Sequence, residues 1–486
     1  MLSVEGFRGV NQAEVSLAPI TILTGRNNSG KSSLLEALAA AATAEAGLRD
    51  WLGVDVLRHV IDHKLMGHPG RLIREGAQSA TIMLSYAPGP AIRIQLWRLR
   101  RRPRDAAMLL ACRAVHSLSH VQLLFCMLHY AREKGREGEP AKFPENLTVS
   151  NMEKIVYGIE RSMRQLCNTG RRFQAGRASP SGDMVEAAAL ALMDGLYAAA
   201  RLVAEESIEA RIEVGSELLV YTVYYPGPPY AQLLLQRLKG PLREAASDAA
   251  PILARTLGLE AAPPSHTRRL ADCVANTLLR ALERALRAAR APRRSARSPV
   301  LALFHRHLFG AHGGLVESLT DIVRRLHAAG ALDRYRRLVG AIPGLGIGDP
   351  FIEEGEAWFR TSNGGRIPAS LLGDGTLHLL LLLAGLAVAG LGGATVVYEE
   401  PETGLHPGYM YWFARVLVES VLEAGSQVAM STHSLELIRY IIEAAEKAGA
   451  TDQVAVVLMH DGDVYSTFQG SEAAEASELE IDLRGL

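Results

Sequence analysis

Gly25 and Gly30 bracket a short polar turn, and Lys31 and Ser32 follow at once in the run Gly25-Arg26-Asn27-Asn28-Ser29-Gly30-Lys31-Ser32-Ser33. A backbone curled through two such glycines can aim successive N–H groups at one anion. A lysine directly after the second glycine can reach the outer phosphates of a polyphosphate, and the Ser32 hydroxyl can ligate Mg²⁺. The spacing therefore predicts a phosphate-binding loop. The flanking residues agree with that reading. The apolar run Ile20–Leu23 leads in as a strand, and Ser33–Ala41 is rich in helix formers, so a helix begins at the loop with its positive end facing the anion.

Three later stretches carry polar groups in positions that suit the same chemistry. Ala394–Tyr398 is an apolar run that ends in the adjacent carboxylates Glu399 and Glu400. Read as a buried strand of an open α/β sheet, it delivers both acids to the sheet edge where ligands bind. There Glu399 can serve the Mg²⁺ shell, and Glu400 can act as base toward the water that attacks the γ-phosphate. Gln427–Met430 is a second short apolar run, and His433 follows it as a hydrogen-bonding group for phosphate or water. The glycine-flanked turn Gly373-Asp374-Gly375-Thr376 opens a strongly apolar helix, which suits either a second phosphate contact or an ordinary helix cap.

The chain has 486 residues, 48% of them apolar, enough to bury a large core. Lys and Arg total 52 and Asp and Glu total 52, so no overall field favours nucleic acid or membrane, and any such partner must use a local patch. The four cysteines, Cys112, Cys126, Cys167 and Cys273, show no C-x-x-C pairing. They read as buried packing residues of a protein in a reducing compartment and speak against zinc. No basic segment followed by an apolar one opens the chain, so a cytoplasmic location is expected. Leu379–Tyr398 is uncharged and long enough to span a bilayer, but Gly390-Leu391-Gly392-Gly393 divides it into a buried helix and a buried strand, so no membrane association is expected.

These groups need a framework that brings residues 25–33 beside residues 373–376, 399–400 and 433. Residues 1–104 read as β-rich, with strands at Leu2–Val4, Ala13–Leu17, Ile20–Leu23, Thr81–Tyr86 and Ile92–Trp97, the last two joined by a turn at Pro88-Gly89-Pro90. Residues 105–340 are mainly helical, with a hairpin at 211–225 and no sustained heptad pattern, and read as a helical insertion without a long coiled-coil arm. Residues 341–486 alternate strand and helix: Phe351–Arg360 as a strand, a turn at Gly364-Gly365, a helix from about Leu377, then Thr395–Tyr398, Met410–Glu423, Gln427–Met430 and a helix from Leu435. Such alternation implies α/β architecture with a parallel sheet.

The order of these motifs, with Phe7-Arg8-Gly9 after the first strand and the run Glu399-Glu400-Pro401-Glu402-Thr403-Gly404-Leu405-His406-Pro407, resembles the ABC-type ATPase heads of SMC-like and OLD-like proteins of the AAA family. The resemblance covers about residues 1–100 and 345–445. It implies a P-loop NTPase head with a mixed or parallel sheet interrupted by the helical insertion. It also implies that ATP and Mg²⁺ are bound and ATP is hydrolysed. Lys31 would bind phosphate, Ser32 and Glu399 would serve the metal, Glu400 would be the catalytic base, His433 the switch histidine, and Arg8 a further nucleotide contact. Gly373, Asp374, Gly375 and Thr376 would form the signature loop that completes the ATP site of a second subunit, so an ATP-dependent homodimer is implied. The sequence departs from the family in having Gly373 where a signature serine is usual and Glu399 where ABC proteins usually carry Asp. The Q-loop residue has only Gln78 and Gln122 as candidates.

OLD-like nucleases carry a TOPRIM domain after the head, for which residues 435–486 are too few, so a nuclease or other effector is expected as a separate protein. From Arg268 to Arg306 there are ten arginines against Asp272 and Glu283. Arg280, Arg284 and Arg287 share a helical face opposite Leu279, Leu282 and Leu286, a face that can track nucleic-acid phosphates and equally reads as solvated or as an internal anchor. Arg98–Arg104 is a second basic cluster of the same ambiguity. The expectation is an ATPase acting on DNA or with a partner effector in repair or antiviral defence. A nucleotide-gated scaffold is the alternative, and a transporter ATPase is a more distant one. The chain has no N-K-x-D motif, which disfavours a GTPase.

Overall fold

The computed structural model describes residues 1–46, 48–85, 91–99, 103–118, 122–123, 126, 149–169, 184–215, 217–226, 230–256, 264–288, 300–303 and 314–478. Fifteen strands run through these residues: β1 (Leu2–Glu5), β2 (Gln12–Val15), β3 (Ile20–Gly25), β4 (Ser79–Leu84), β5 (Ile92–Arg98), β6 (Ile208–Val214), β7 (Glu217–Tyr224), β8 (Val300–Leu303), β9 (Ile347–Glu353), β10 (Glu356–Thr361), β11 (Arg366–Pro368), β12 (Thr395–Glu399), β13 (Gln427–Ser431), β14 (Val454–His460) and β15 (Asp463–Gln469). The turn expected at Pro88-Gly89-Pro90 lies outside the described residues.

The central sheet has the order β15-β14-β3-β13-β12-β8. Its pairs β14–β3, β3–β13, β13–β12 and β12–β8 are parallel, and only β15 runs against its neighbour. All residues of β3, β8 and β12 are buried. Their near-continuous apolar composition is what strands covered on both faces require. Helix Lys31–Ala42 follows β3, and the strongly apolar helix Asp374–Ala389 buries Leu377 and residues 379–389 in the same core. The uncharged stretch at 379–398 is thus a core helix and a core strand. Among the described residues one helix, Met184–Glu205, is long and apolar enough to cross a membrane, and 56% of its apolar window is buried inside the protein.

A second sheet, antiparallel in every pair, has the order β2-β1-β4-β5-β6-β7. It shares the core of the central sheet. The hairpin β6–β7 pairs with β5 here, from Ile92 opposite Val214 to Arg98 opposite Ile208. Val300–Leu303 enters the central sheet beside β12, and helices Leu315–Ala328 and Leu332–Gly340 contribute Leu319, Ile322, Tyr335 and Val339 to the same core. Parts of the 105–340 stretch are therefore structural members of the core around the central sheet, and its helical character is concentrated between β5 and β8. The stretch 351–360, expected as one strand, is the hairpin β9–β10, turned at Glu354 and Gly355 with φ of 50° and 85°. Both residues sit in the left-handed region that two-residue hairpins favour.

The helices Pro103–His116, Val149–Thr169, Met184–Glu205, Tyr230–Thr256 and Pro264–Ala288 bury a separate apolar cluster that includes Leu110, Met163, Leu192, Leu242 and Leu278. The cysteines belong to this unit and differ from the expectation of unpaired packing thiols: Cys112 is bonded to Cys167 and Cys126 to Cys273. Partners 55 and 147 residues apart leave no local sequence pattern. The pairing also removes the argument from cysteine usage for a reducing compartment. Each bridge closes a long loop and should contribute about 2–4 kcal/mol. Reductant should therefore lower the unfolding temperature of the full chain in a calorimetric scan. Four free thiols in the purified protein under non-reducing conditions would show that the pairs do not form.

Candidate nucleotide site

The loop that leaves β3 turns at Gly25, whose φ is 134° and where an added Cβ would lie 2.2 Å from the Met459 carbonyl oxygen. No side chain fits there, which fixes glycine at this point of the loop. Asn28 also lies in the left-handed region, at φ 63°, and helix Lys31–Ala42 starts after Gly30 with no side-chain cap, leaving its first N–H groups to the loop's interior. The Lys31 side chain is folded into the loop. Its Nζ donates to the carbonyls of Gly25 at 2.9 Å and Arg26 at 2.7 Å, and lies 3.4 Å from Ser29 Oγ. Burial lowers its pKa to about 8, opposed by the charges of Glu400 and Glu402.

The loop is clasped from two sides. Gly9 N–H donates to the Ser33 hydroxyl, and the β14–β15 turn reaches in so that Gly462 N–H donates to Ser29 O while Gly462 O accepts from Asn11 N–H. A Cβ at Gly462 would lie 2.3 Å from Gly9 O. Arg74 completes the clasp by donating to the same Gly9 carbonyl at 2.8 Å.

Glu399 closes β12, in register with Ser431 of β13. Glu400 follows with φ 48°, a conformation that costs a non-glycine residue strain energy and is held by its N–H bond to Ser431 O at 2.9 Å. The chain then turns through Pro401–Gly404. His406 caps helix Pro407–Ala424, its Nδ1 accepting from Gly408 N–H, and Pro407 takes the first helical position. Glu402 points back at the neighbouring strand end: its Oε1 accepts from His433 N–H at 2.8 Å. Burial raises the Glu402 pKa, and the His433 N–H bond opposes that rise. His433 Nε2 lies 3.9 Å from Glu400 Oε1, with both side chains about one-third exposed. The run Glu399–Pro407 is thus a turn that sets two acids at the sheet edge, anchors the histidine loop and caps the next helix.

The ends of β3, β13 and β12 are adjacent because these strands are neighbours in the sheet. Loop 25–33, His433 and Glu399-Glu400 meet there. Gly373–Thr376 opens helix Asp374–Ala389, with Gly373 and Asp374 exposed. Among the described residues this turn makes no hydrogen bond to Gly25–Ser33. Gln122 does not join the site either, since its Oε1 accepts from Arg284 in the helical unit. Gln78 is exposed just before β4. Arg280 and Arg284 are exposed on helix Pro264–Ala288, with Leu282 and Leu286 buried on it, while the Arg287 side chain lies outside the described residues, as do Arg100–Arg102 of the other basic cluster.

Two residues that sequence reasoning did not find complete the site. Glu36, on the helix after the loop, is fully buried, and Lys64 lies beside it. Arg8 pairs with Glu36, Lys64 bridges Glu36 and Glu399, and the four form one network in which the two carboxylates are buried and the two cations largely so. Burial lowers the pKa of Arg8 to about 10 and that of Lys64 as well, with Glu399 opposing both shifts. For an Mg²⁺ ion the donors at hand are the Ser32 hydroxyl and the Glu399 carboxylate, hard oxygen ligands of the kind Mg²⁺ takes together with phosphate oxygens and water.

Residues 1–46 match the protein-family model described as "AAA ATPase domain", and residues 272–439 match the one described as "AAA domain, putative AbiEii toxin, Type IV TA system". The chain is similar to the DNA replication and repair protein RecF of Frankia alni, at 29% identity over 202 residues, which are 40% of this chain and 49% of that protein. It thus spans about half the length of that relative. It is also similar to an uncharacterized protein of Methanocaldococcus jannaschii, at 31% identity over 117 residues, which are 24% of this chain and the whole of that one. Among solved structures, the Smc head domain of Pyrococcus furiosus with an extended coiled coil, bound to the C-terminal domain of ScpA, aligns over 99% of this chain and 98% of that one. That alignment has 13% identity and a TM-score of 0.38. The two AAA-domain matches cover loop 25–33, Glu399-Glu400 and His433, so the chain is similar to AAA-family ATPases over the segments that build the site.

Proposed function

We propose that this chain binds ATP with Mg²⁺ at Gly25–Ser33, hydrolyses it, and uses the nucleotide cycle to dimerise and to act on DNA or a partner effector. The observation that carries the reading is the convergence of loop 25–33, Glu399-Glu400 and His433 at the ends of three neighbouring parallel strands. Lys31 and the loop N–H groups bind the β- and γ-phosphates, and Arg8 steadies the loop helix through Glu36. Mg²⁺, held by Ser32 and Glu399, would supply neutralisation of phosphate charge. Glu400 accepts the proton of the attacking water, and His433, tied to Glu402 through its backbone, hydrogen-bonds the water or the γ-phosphate.

The turn Gly373–Thr376, exposed at Gly373 and Asp374, supports a sandwich in which it faces loop 25–33 of a second copy. The match to a protein named for DNA replication and repair, and the exposed Arg280 and Arg284, support DNA as the substrate of the motion. Light scattering on the Glu400→Gln variant tests the assembly, since this variant should hold ATP long enough to report its mass. A dimer with Mg-ATP and a monomer without nucleotide are expected. A monomer at micromolar concentration with saturating Mg-ATP would refute the sandwich.

A further inference from the structure

Lys64 reaches the site through one π-helical turn, Val60–Lys64, in which Leu65 N–H bonds five residues back to Val60 O. Such turns recur at functional sites because they displace a side chain from the regular helical face. The displaced Lys64 Nζ lies 2.6 Å from each carboxylate oxygen of Glu399 and 2.9 Å from Glu36 Oε1. Glu36 Oε2 is taken by Arg8. The side chains of Lys64, Glu36 and Glu399 are 10% exposed or less and that of Arg8 is 17% exposed, so two carboxylates and two cations balance one another with little access to bulk water. Breaking such a buried set by deleting one charge is costly, whereas exchanging one cation for another preserves the balance.

We infer that Lys64 is a tethered counter-ion that competes with Mg²⁺ for Glu399 and thereby sets the metal concentration at which the nucleotide site loads. This rests on the reading of Glu399 as the acid on the metal side of the site. Both Glu399 oxygens are engaged by one ammonium, so a metal ion gains that carboxylate only when Lys64 gives it up. The ammonium has somewhere to go: Glu36 already contacts it, and Arg8 holds Glu36 in place. Glu36 lies four residues after Ser32 and so on the same face of the loop helix, which puts the hand-over beside the metal-side hydroxyl. Lys64 is a positioning residue in this account, acting through Glu399.

The test is the ratio of affinities for the non-hydrolysable analogue AMP-PNP with Mg²⁺ and with EDTA, measured by displacement of a fluorescent nucleotide from the full chain. A cation beside a carboxylate biases that carboxylate's affinity for other cations by about tenfold or more. Lys64→Met should therefore raise the ratio about tenfold over wild type, and Lys64→Arg, which keeps the charge, should leave it near the wild-type value. If Lys64→Met does not fold, Lys64→Gln, with amide donors for Glu36, takes its place in the comparison. A ratio unchanged or lowered on neutralising Lys64 overturns the inference, since a purely structural ion pair would not move it upward. Glu399→Gln separates the two levels of the argument. A wild-type ratio in Glu399→Gln would refute the metal-side role of Glu399 itself, whereas a collapsed ratio there with no rise in Lys64→Met would refute only the competition.

Discussion

Replacing Glu400 by glutamine should lower steady-state ATP hydrolysis by about a hundredfold to ten-thousandfold while leaving ATP bound. The amide has the shape of the carboxylate and can keep the contacts at the end of β12, but it cannot accept the proton of the attacking water. The backbone around it should not move. Glu400 is held at φ 48° by its own N–H bond to Ser431 O and by the Thr403 N–H bond to its carbonyl, neither of which involves the side chain. Any loss of activity therefore reports on the carboxylate. His433 Nε2, 3.9 Å away, remains as a hydrogen-bonding group. Phosphate release measured at saturating Mg-ATP checks the result, and a wild-type rate would take Glu400 out of the role of base.

Lys31→Ala should weaken ATP binding by about tenfold to a hundredfold, the cost of losing a charge-assisted hydrogen-bonding group. Two effects add in this case. The variant removes the cation folded into the loop, and it also leaves the carbonyls of Gly25 and Arg26 without the donor that braces them at 2.9 and 2.7 Å. The helix behind the loop should survive, because Leu34, Leu35 and Leu38 anchor it in the core. Calorimetric titration with ATP, alongside circular dichroism to confirm the fold, checks both statements. Unchanged affinity would mean that phosphate is bound elsewhere.

The elements that could be read from the sequence are those in which local pattern and tertiary role coincide. Ile20–Leu23, Thr395–Tyr398 and Gln427–Met430 are apolar on both faces because they lie inside a parallel sheet, so composition alone marks them as strands. Val300–Leu303 is just as buried, yet it is four residues long and follows an arginine-rich stretch, so no periodicity separates it from a helical neighbourhood. The β14–β15 pair was not anticipated, nor was its grip on the phosphate loop, since a contact between Gly462 and Gly9 is invisible to any window of sequence. Lys64 illustrates the same limit in charge. A lone lysine between His63 and Leu65 carries no spacing signal, and its partners Glu36 and Glu399 stand far away along the chain. The disulfide partners are hidden for the same reason.

The position of β3 between β13 and β14 has a consequence for biosynthesis. Ile20 pairs with Val428 on one side and with Val454 on the other, so the strand that carries the phosphate loop has neither neighbour until more than four hundred further residues have been made. At about 5–20 residues per second, translation from residue 20 to residue 428 takes about twenty to eighty seconds. Throughout that interval the apolar strand has both edges open, the condition under which strands pair with the wrong partner. The intervening helices have their own apolar cluster and can collapse meanwhile. The loop that would grip ATP is thus translated long before the strands that hold it, so a nascent chain gains its candidate nucleotide site only once β13 and β14 have closed around β3.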